Sequence, residues 1–114
     1  MHEISLVRNI FKTLQDEFPT EIDKVRGIYL TVGLLSNVQP ILMQSAFDAV
    51  VQDEPIYSKT TLHVSVLPIL IFCDDCKINS EVFNYKFACS CGKPSRNIVQ
   101  GEELLISKVE FADD

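Results

Sequence analysis

The sequence predicts an α+β fold, with two helices packed on a small three-stranded sheet and a mini-domain inserted before the last strand. Three observations predict it. Two stretches have apolar residues at helical spacing, three have the alternation or β-branched content of strands, and one polar segment holds all four cysteines. The 114 residues suffice for one domain and a small appendage. We therefore predict an α+β domain from residues 1–69 and 100–114, interrupted by an insertion at residues 70–99.

Two helices are predicted from the spacing of their apolar residues. In the first, residues 4–18, apolar side chains recur at steps of three and four, and Pro19 ends the helix because the residue before a proline avoids helical angles. The second begins at Pro40, which suits the first helical position. The apolar stripe of the first helix is Ile4, Val7, Phe11, Leu14 and Phe18. The stripe of the second is Met43, Ala46, Phe47 and Val50.

Three strands are predicted to form the sheet. Residues 25–32 and 61–67 place leucine and β-branched side chains alternately on one face. Val25 has the wrong parity for the first of these strands, which indicates a bulge near Gly27. Residues 104–111, rich in Leu, Ile, Val and Phe, form the last strand.

The composition favours a globular protein and argues against two classes of partner. Apolar residues make up 46% and charged residues 23%. Ten basic and sixteen acidic side chains give a net charge of −6 without a basic cluster, so no nucleic-acid binding is expected. The longest apolar run, residues 64–73, contains Pro68 and is shorter than the roughly 20 residues of a spanning helix, so no membrane association is expected. No targeting segment is recognisable, and a cytoplasmic protein with reduced or metal-bound cysteines is expected.

Twelve residues separate two close cysteine pairs, Cys73–Cys76 and Cys89–Cys91. This spacing is typical of a structural zinc ribbon, since each tight turn supplies two thiolates to a tetrahedral ion. The closed set leaves no position for water, and zinc supplies folding free energy that a short segment lacks. The second pair has one intervening residue where two are usual. Either its turn is tighter, or an outside ligand such as His63 replaces a cysteine, although a strand histidine more often packs at the sheet surface. Free thiols or a disulfide are the alternatives to a metal.

Charged side chains flank the cysteines. Lys77, Lys93 and Arg96 are candidates to offset the double negative charge of a four-thiolate zinc centre, or they add only solubility. Asp74 and Asp75 separate the first two cysteines and are predicted to form a solvated turn.

The amino terminus is a second candidate metal site. Met1 is expected to be retained, because the aminopeptidase that removes it requires a small second residue. The free amine, the His2 amide nitrogen and the His2 imidazole can then chelate one ion through fused rings. Nitrogen donors in a plane suit Ni(II) or Cu(II) better than zinc, and protons compete with the ion as the pH falls. An exposed terminal histidine without a role is the ordinary alternative.

Several segments match one known family, in the same order and over nearly the full length. They are Met1-His2-Glu3-Ile4-Ser5-Leu6, Lys24-Val25, Leu30-Thr31-Val32-Gly33-Leu34-Leu35-Ser36, Val38-Gln39-Pro40, Ala46-Phe47-Asp48, the residues Leu62, Val64, Val66 and Pro68, Cys73-Asp74-Asp75-Cys76, Gly101-Glu102-Glu103-Leu104 and Val109-Glu110. With these residues the chain resembles the HypA/HybF family, the nickel-delivery accessory proteins of nickel–iron hydrogenase maturation.

The resemblance implies a nickel-binding domain of two helices on a three-stranded sheet, with a domain that binds structural Zn(II) inserted before the last strand. It implies that Ni(II), the transferred cargo, binds at Met1, His2 and Glu3, the last through its backbone amide nitrogen. Family members are not enzymes. They hand nickel to the hydrogenase large subunit with the help of a GTPase, and some also serve urease with its accessory proteins.

The sequence departs from the family pattern in two places. Cys89-Ser90-Cys91 has one intervening residue where two are expected, and Lys77 stands where glycine is common.

Other interpretations stay open on the residues alone. One is a zinc ribbon that binds a protein or nucleic acid without nickel transfer, although the acidic balance disfavours nucleic acid. Another is a thiol redox protein that uses Cys73 and Cys76, but that motif normally opens a helix and no helical pattern follows Cys76. An exposed hinge beside the insertion permits strand exchange, so a homodimer also stays open.

Overall fold

The structure is a computed structural model, and it describes residues 3–113. The helices are α1 (Glu3–Glu17) and α2 (Pro40–Asp53), and the strands are β1 (Val25–Gly33), β2 (Thr61–Leu67), β3 (Leu70–Cys73), β4 (Ile78–Glu81), β5 (Ile98–Gln100) and β6 (Leu104–Phe111). Both predicted helices and all three predicted strands are present with nearly the predicted bounds, because apolar spacing or strand-forming composition marks each of them in the sequence. Neither α1 nor α2 is long and apolar enough to cross a membrane.

The first sheet has β1 at its centre, in the order β2-β1-β6. β2 pairs with β1 in parallel, because α2 carries the chain back along the sheet between them, and β6 pairs antiparallel. The β1–β6 register shifts between Val25 and Gly27, which confirms the predicted bulge. A second shift, opposite Tyr29 and Leu30, leaves Ser107 of β6 without a partner residue, and its hydroxyl donates to the Tyr29 carbonyl over 3.1 Å.

The two helices cover one face of this sheet and share a core with it. The buried residues are Val7, Phe11, Leu14, Val25, Ile28, Leu30, Met43, Ala46, Phe47, Val50, Tyr57 and Leu62. The rings of Phe11 and Tyr57 stack with centroids 3.8 Å apart, and the buried Tyr57 hydroxyl accepts a hydrogen bond from the Gln15 amide at 2.8 Å. Ile4 was predicted in the apolar stripe of α1. It is instead 46% exposed, because it lies in the first turn, at the rim of a groove beside α2.

The inserted segment forms a second three-stranded sheet in the order β4-β3-β5, with β3 antiparallel to both neighbours. Its core is small, since only Ile69, Ile71 and Val82 form a buried cluster. We refer to residues 69–100 as the cysteine region, and to residues 3–67 with 102–113 as the helical region. The observed architecture confirms the predicted α+β fold class with two helices and small sheets.

A close backbone contact joins the two regions at the end of β1. A Cβ atom on Gly33 would lie 2.0 Å from the carbonyl of Gly101, so only glycine fits at position 33. The Leu35 amide donates to the Gly101 carbonyl over 2.7 Å, which fixes this crossing. The regions extend away from the contact, and the radius of gyration is 17.6 Å, against about 13 Å for a compact domain of this length.

Candidate metal centre

The structure brings the four cysteines together. Their Sγ atoms all lie within 4.8 Å of one another, and those of Cys73 and Cys91 are 3.9 Å apart. In a tetrahedral site with Zn–S bonds of about 2.3 Å, the sulfur atoms lie about 3.8 Å apart. All four cysteines are free thiols in this structure, so the geometry fits a four-thiolate zinc site and not a disulfide pair.

The first two cysteines lie at the end of β3 and in the loop that follows it. Cys73 ends β3 and pairs with Ile78, and the Lys77 amide donates to the Cys73 carbonyl over 2.8 Å. Lys77 has a φ of +56°, a left-handed conformation that favours glycine. At the position where the resemblance implies glycine, this chain thus has a lysine with a strained backbone.

The second pair lies on a tight hairpin. The Cys89 amide donates to the Lys93 carbonyl and the Gly92 amide to the Cys89 carbonyl, each over 2.8 Å. Gly92 has a φ of +93°, so the loop resembles a three-residue hairpin turn that closes with a left-handed glycine. Of the two alternatives open in the sequence, the structure shows the tighter turn. It does not bring His63 to the cysteines; the His63 ring stacks on Tyr29 with centroids 4.3 Å apart.

The thiols have unequal acidities. The pKa of Cys89 is lowered to about 6, first by the backbone amide of Cys91 and then by the Ser80 hydroxyl, which donates to the sulfur over 3.6 Å. The pKa of Cys76 is raised to about 12, because hydrogen bonds with the thiols of Cys91 and Cys89 favour its neutral form. Several thiolates this close repel one another, and a divalent cation removes that conflict. Ser80 was not predicted, since only the pairing of β4 with β3 brings it near.

An ion pair connects the two cysteine loops. The Lys93 ammonium bonds to the carboxylate of Asp75, which lies in the first loop. The pKa of Lys93 is raised, mainly by this bond and also by the negative sulfur atoms of the cluster. Arg96 lines the same cleft as Cys73 and Lys93. Of the two predicted turn aspartates, Asp75 is thus an ion-pair partner as well as a turn residue.

The predicted amino-terminal site lies mostly outside the described residues. Met1 and His2 are not among residues 3–113, and Glu3 begins α1. Glu3 lines a groove with Leu42 and Ser45 of α2.

Comparison with known proteins decides between the interpretations left open. The family model "Hydrogenase/urease nickel incorporation, metallochaperone, hypA" matches residues 1–111. The chain belongs to the HypA family. The match confirms the resemblance drawn from the sequence, and it makes this chain a nickel metallochaperone of hydrogenase maturation. HypA proteins bind nickel and structural zinc, and the cysteine cluster described above fits the zinc site.

Individual relatives match nearly the whole chain. The hydrogenase maturation factor HypA of Desulfitobacterium hafniense is 32% identical, with 99% of this chain and 100% of that protein covered. The guanidine hydrolase-activating protein A of a Synechocystis strain is 28% identical over 96% of this chain and 94% of its own length. The solution structure of the nickel metallochaperone HypA from Helicobacter pylori superposes with a TM-score of 0.65 at 19% identity, covering 100% of both chains, and supports the fold.

The redox alternative does not agree with this geometry. Cys73 ends a strand and Cys76 lies in the loop after it, so neither is at the start of a helix, where the helix dipole would lower a thiol pKa. The zinc ribbon without nickel transfer is likewise not favoured, because the HypA match extends over both regions.

Proposed function

We propose that this chain binds Ni(II) through the Met1 amine, the amide nitrogen and imidazole of His2, and the amide nitrogen of Glu3, and that it delivers the ion to a nickel–iron hydrogenase precursor. The HypA match that begins at residue 1 carries this proposal, because it includes the opening tripeptide. Four nitrogen donors in a plane form a square arrangement that Ni(II) accepts and zinc does not prefer.

The start of α1 suits this ligand set. The first amides of a helix have no acceptor within the helix, so the Glu3 amide nitrogen gives up no helical hydrogen bond when it loses its proton to bind a metal. The positive end of the helix dipole opposes a cation there, and deprotonated amides offset that effect. Protons compete for the amine, the imidazole and the amides, so nickel affinity decreases as the pH falls.

A titration with Ni(II) tests the ligand set on the zinc-loaded chain with its native start. We expect His2→Ala, and separately a Gly-Ser extension before Met1, to weaken binding by about 100-fold, equivalent to about 2.7 kcal/mol. The matched control is His63→Ala, which removes the chain's other histidine and leaves affinity unchanged. Equal affinity in all four proteins would contradict the proposal.

We further propose that Cys73, Cys76, Cys89 and Cys91 are the zinc ligands. The bound ion supplies stability and no reaction, since four protein ligands leave no open position. With these ligands the insertion at residues 70–99 is a zinc-binding domain, and residues 1–69 and 100–114 are the nickel-binding domain. The buried cluster that includes Ile69 and the end of β5 at Gln100 support boundaries close to these.

The partners that this role requires are a GTPase and the enzyme precursor that receives nickel. We propose the hydrogenase large subunit as the client, with no reaction catalysed by this chain and a cytoplasmic location. A second client class, other nickel enzymes including urease with its accessory proteins, is favoured by one observation, namely the relative named for activating a guanidine hydrolase. Transfer of radioactive nickel from this chain to each purified apo-enzyme, with and without the GTPase, distinguishes the clients. Sedimentation of the loaded chain tests for a homodimer.

A further inference from the structure

Two aromatic side chains stand out at a hairpin tip in the cysteine region. Phe83 and Tyr85 are 67% and 61% exposed, whereas the chain's other eight aromatic residues are buried or half-buried. Exposed rings contribute little to folding, since they stay in water. Rigid aromatic side chains are the residues that most often anchor a protein interface, because they bring a large contact area at a small entropic cost.

The backbone at this tip forms a strained two-residue turn. Phe83 and Lys86 pair across a two-residue turn, and the Lys86 amide donates to the Phe83 carbonyl over 3.1 Å. Asn84 and Tyr85 both have positive φ, 54° and 59°, as a type I′ turn requires. Asn is favoured at the first position and glycine at the second. A tyrosine in the second position is an outlier that indicates a role for its side chain.

The charge around the tip differs from that of the rest of the chain. Residues 82–101 contain three basic side chains and no acidic one, in a chain of net charge −6. The basic residues are Lys86, Lys93 and Arg96. Lys86 belongs to the turn itself, and Lys93 is paired with Asp75. A binding partner that meets the tip therefore meets two rings beside the ammonium of Lys86, which forms no ion pair among the described residues and attracts an acidic group.

We propose that the hairpin tip of Phe83, Tyr85 and Lys86 is a docking point for an acidic peptide segment of a partner protein, with apolar side chains that pack on the two rings. Nucleic-acid binding needs several cations along the phosphate backbone, and the tip supplies only Lys86, so single-stranded RNA is the disfavoured alternative. The proposal does not involve the proposed nickel ligands, so it stands or falls independently of them.

A random peptide display library identifies what the tip binds. The zinc-loaded full chain is the target, and the double variant Phe83→Ser/Tyr85→Ser removes peptides that bind elsewhere. We expect the enriched peptides to combine acidic and apolar residues. An absence of enrichment over the double variant, or enriched peptides without an acidic bias, would overturn the proposal.

Affinities of one selected peptide then test the residues individually. We expect Phe83→Ser, Tyr85→Ser and Lys86→Glu each to weaken binding by about tenfold or more, and the wild-type affinity to decrease with salt. Val99→Ser is the matched control, since Val99 is an exposed apolar residue outside the tip. If Val99→Ser lowered peptide affinity as much as the tip variants do, the effect would not be specific to the tip and the proposal would be overturned.

Tyr85→Gly separates binding from folding. Glycine relieves the left-handed strain, so the melting temperature is expected to rise by a few degrees while peptide affinity falls by about tenfold. Zinc content and Ni(II) affinity remain those of the wild type. Tyr85→Gly with undiminished peptide affinity would overturn the proposal, as would single-stranded RNA that binds more tightly than every selected peptide.

Discussion

The two regions of this HypA protein are stabilised in different ways. The helical region buries twelve side chains between its helices and sheet, whereas the cysteine region has a buried apolar cluster of three. Each fully buried aliphatic or aromatic side chain contributes roughly 1.5–3 kcal/mol, so three cannot offset the entropy lost on ordering the whole cysteine region. One region therefore folds by apolar burial, whereas we expect the other to depend on metal coordination.

Removal of the metal should have the largest effect, and it should unfold only the cysteine region. We expect Cys73→Ser to lose zinc and to unfold β3, β4 and β5, because structural zinc contributes about 10–16 kcal/mol of binding free energy in small domains. The helical region should keep its circular dichroism signal. Zinc analysis and amide hydrogen exchange of each region measure the two effects.

Ser90→Ala is the control for this experiment, since Ser90 lies between two of the proposed ligands and is exposed. Protected amides in β3 after complete zinc removal would refute the dependence on metal.

Truncation of the stacked aromatic pair should destabilise the helical region. Phe11→Ala removes a ring that is 2% exposed and stacked on Tyr57, and we expect a loss of about 3–5 kcal/mol in urea unfolding. Tyr57→Phe keeps the stack, loses only the hydrogen bond from Gln15, and should cost about 1 kcal/mol. Zinc stoichiometry in the folded variants should stay unchanged. If Phe11→Ala lost zinc at urea concentrations below its unfolding transition, the stability of the cysteine region would depend on that of the helical region.

The ion pair between the cysteine loops should have a moderate effect on metal retention. Lys93→Gln and Asp75→Asn each remove one end of it, and we expect each to lower zinc affinity by about tenfold in competition with a chelator. The double variant should be no worse than either single variant if the pair acts as one unit. Lys86→Gln controls for a general loss of positive charge. Additive losses would indicate that Lys93 acts on the sulfur atoms and not through Asp75.

The smallest expected effect comes from backbone conformation in the two cysteine loops. Lys77→Gly relieves a positive φ of 56° and should stabilise the zinc-loaded chain by about 0.5–1 kcal/mol. Gly92→Ala forces the opposite change in the second loop, where the space is open but φ is +93°, and should destabilise by a similar amount. Thermal unfolding at fixed zinc concentration measures both. The same sign for both substitutions would contradict the role of backbone conformation.

The helical region was largely predictable from the sequence because its elements have a helical or alternating apolar period or, in the last strand, a high content of strand-forming residues. The steps of three and four between Val7, Phe11 and Leu14 define a buried helix face, and the parity of Val25 revealed a bulge. Burial at the ends of elements was less predictable. Ile4 continues the stripe in sequence but has little packed around it, since its burial depends on tertiary neighbours that the period does not show.

The cysteine region was predictable in chemistry and less so in geometry. The spacing of its cysteines indicated a metal cluster, but it left open whether the Cys89-Ser90-Cys91 turn tightens or a ligand is replaced. The answer depends on the left-handed angle of Gly92 and on the hydrogen bond between Cys89 and Lys93, which are properties of the folded hairpin. The turn at Asn84 was hidden for a similar reason, because tyrosine follows where glycine would signal a hairpin.

The contact between Gly33 and Gly101 has a consequence for how this architecture can change. The insertion begins after β2 and ends before β6, and these strands flank β1 on either side. Its two ends are therefore separated by two strand spacings, about 9.6 Å, near the end of β1. A module whose termini match that gap would join β2 to β6 without changing the strand order. Gly33, which has no side chain, leaves room for the returning backbone at that point, and any larger residue there would collide with it.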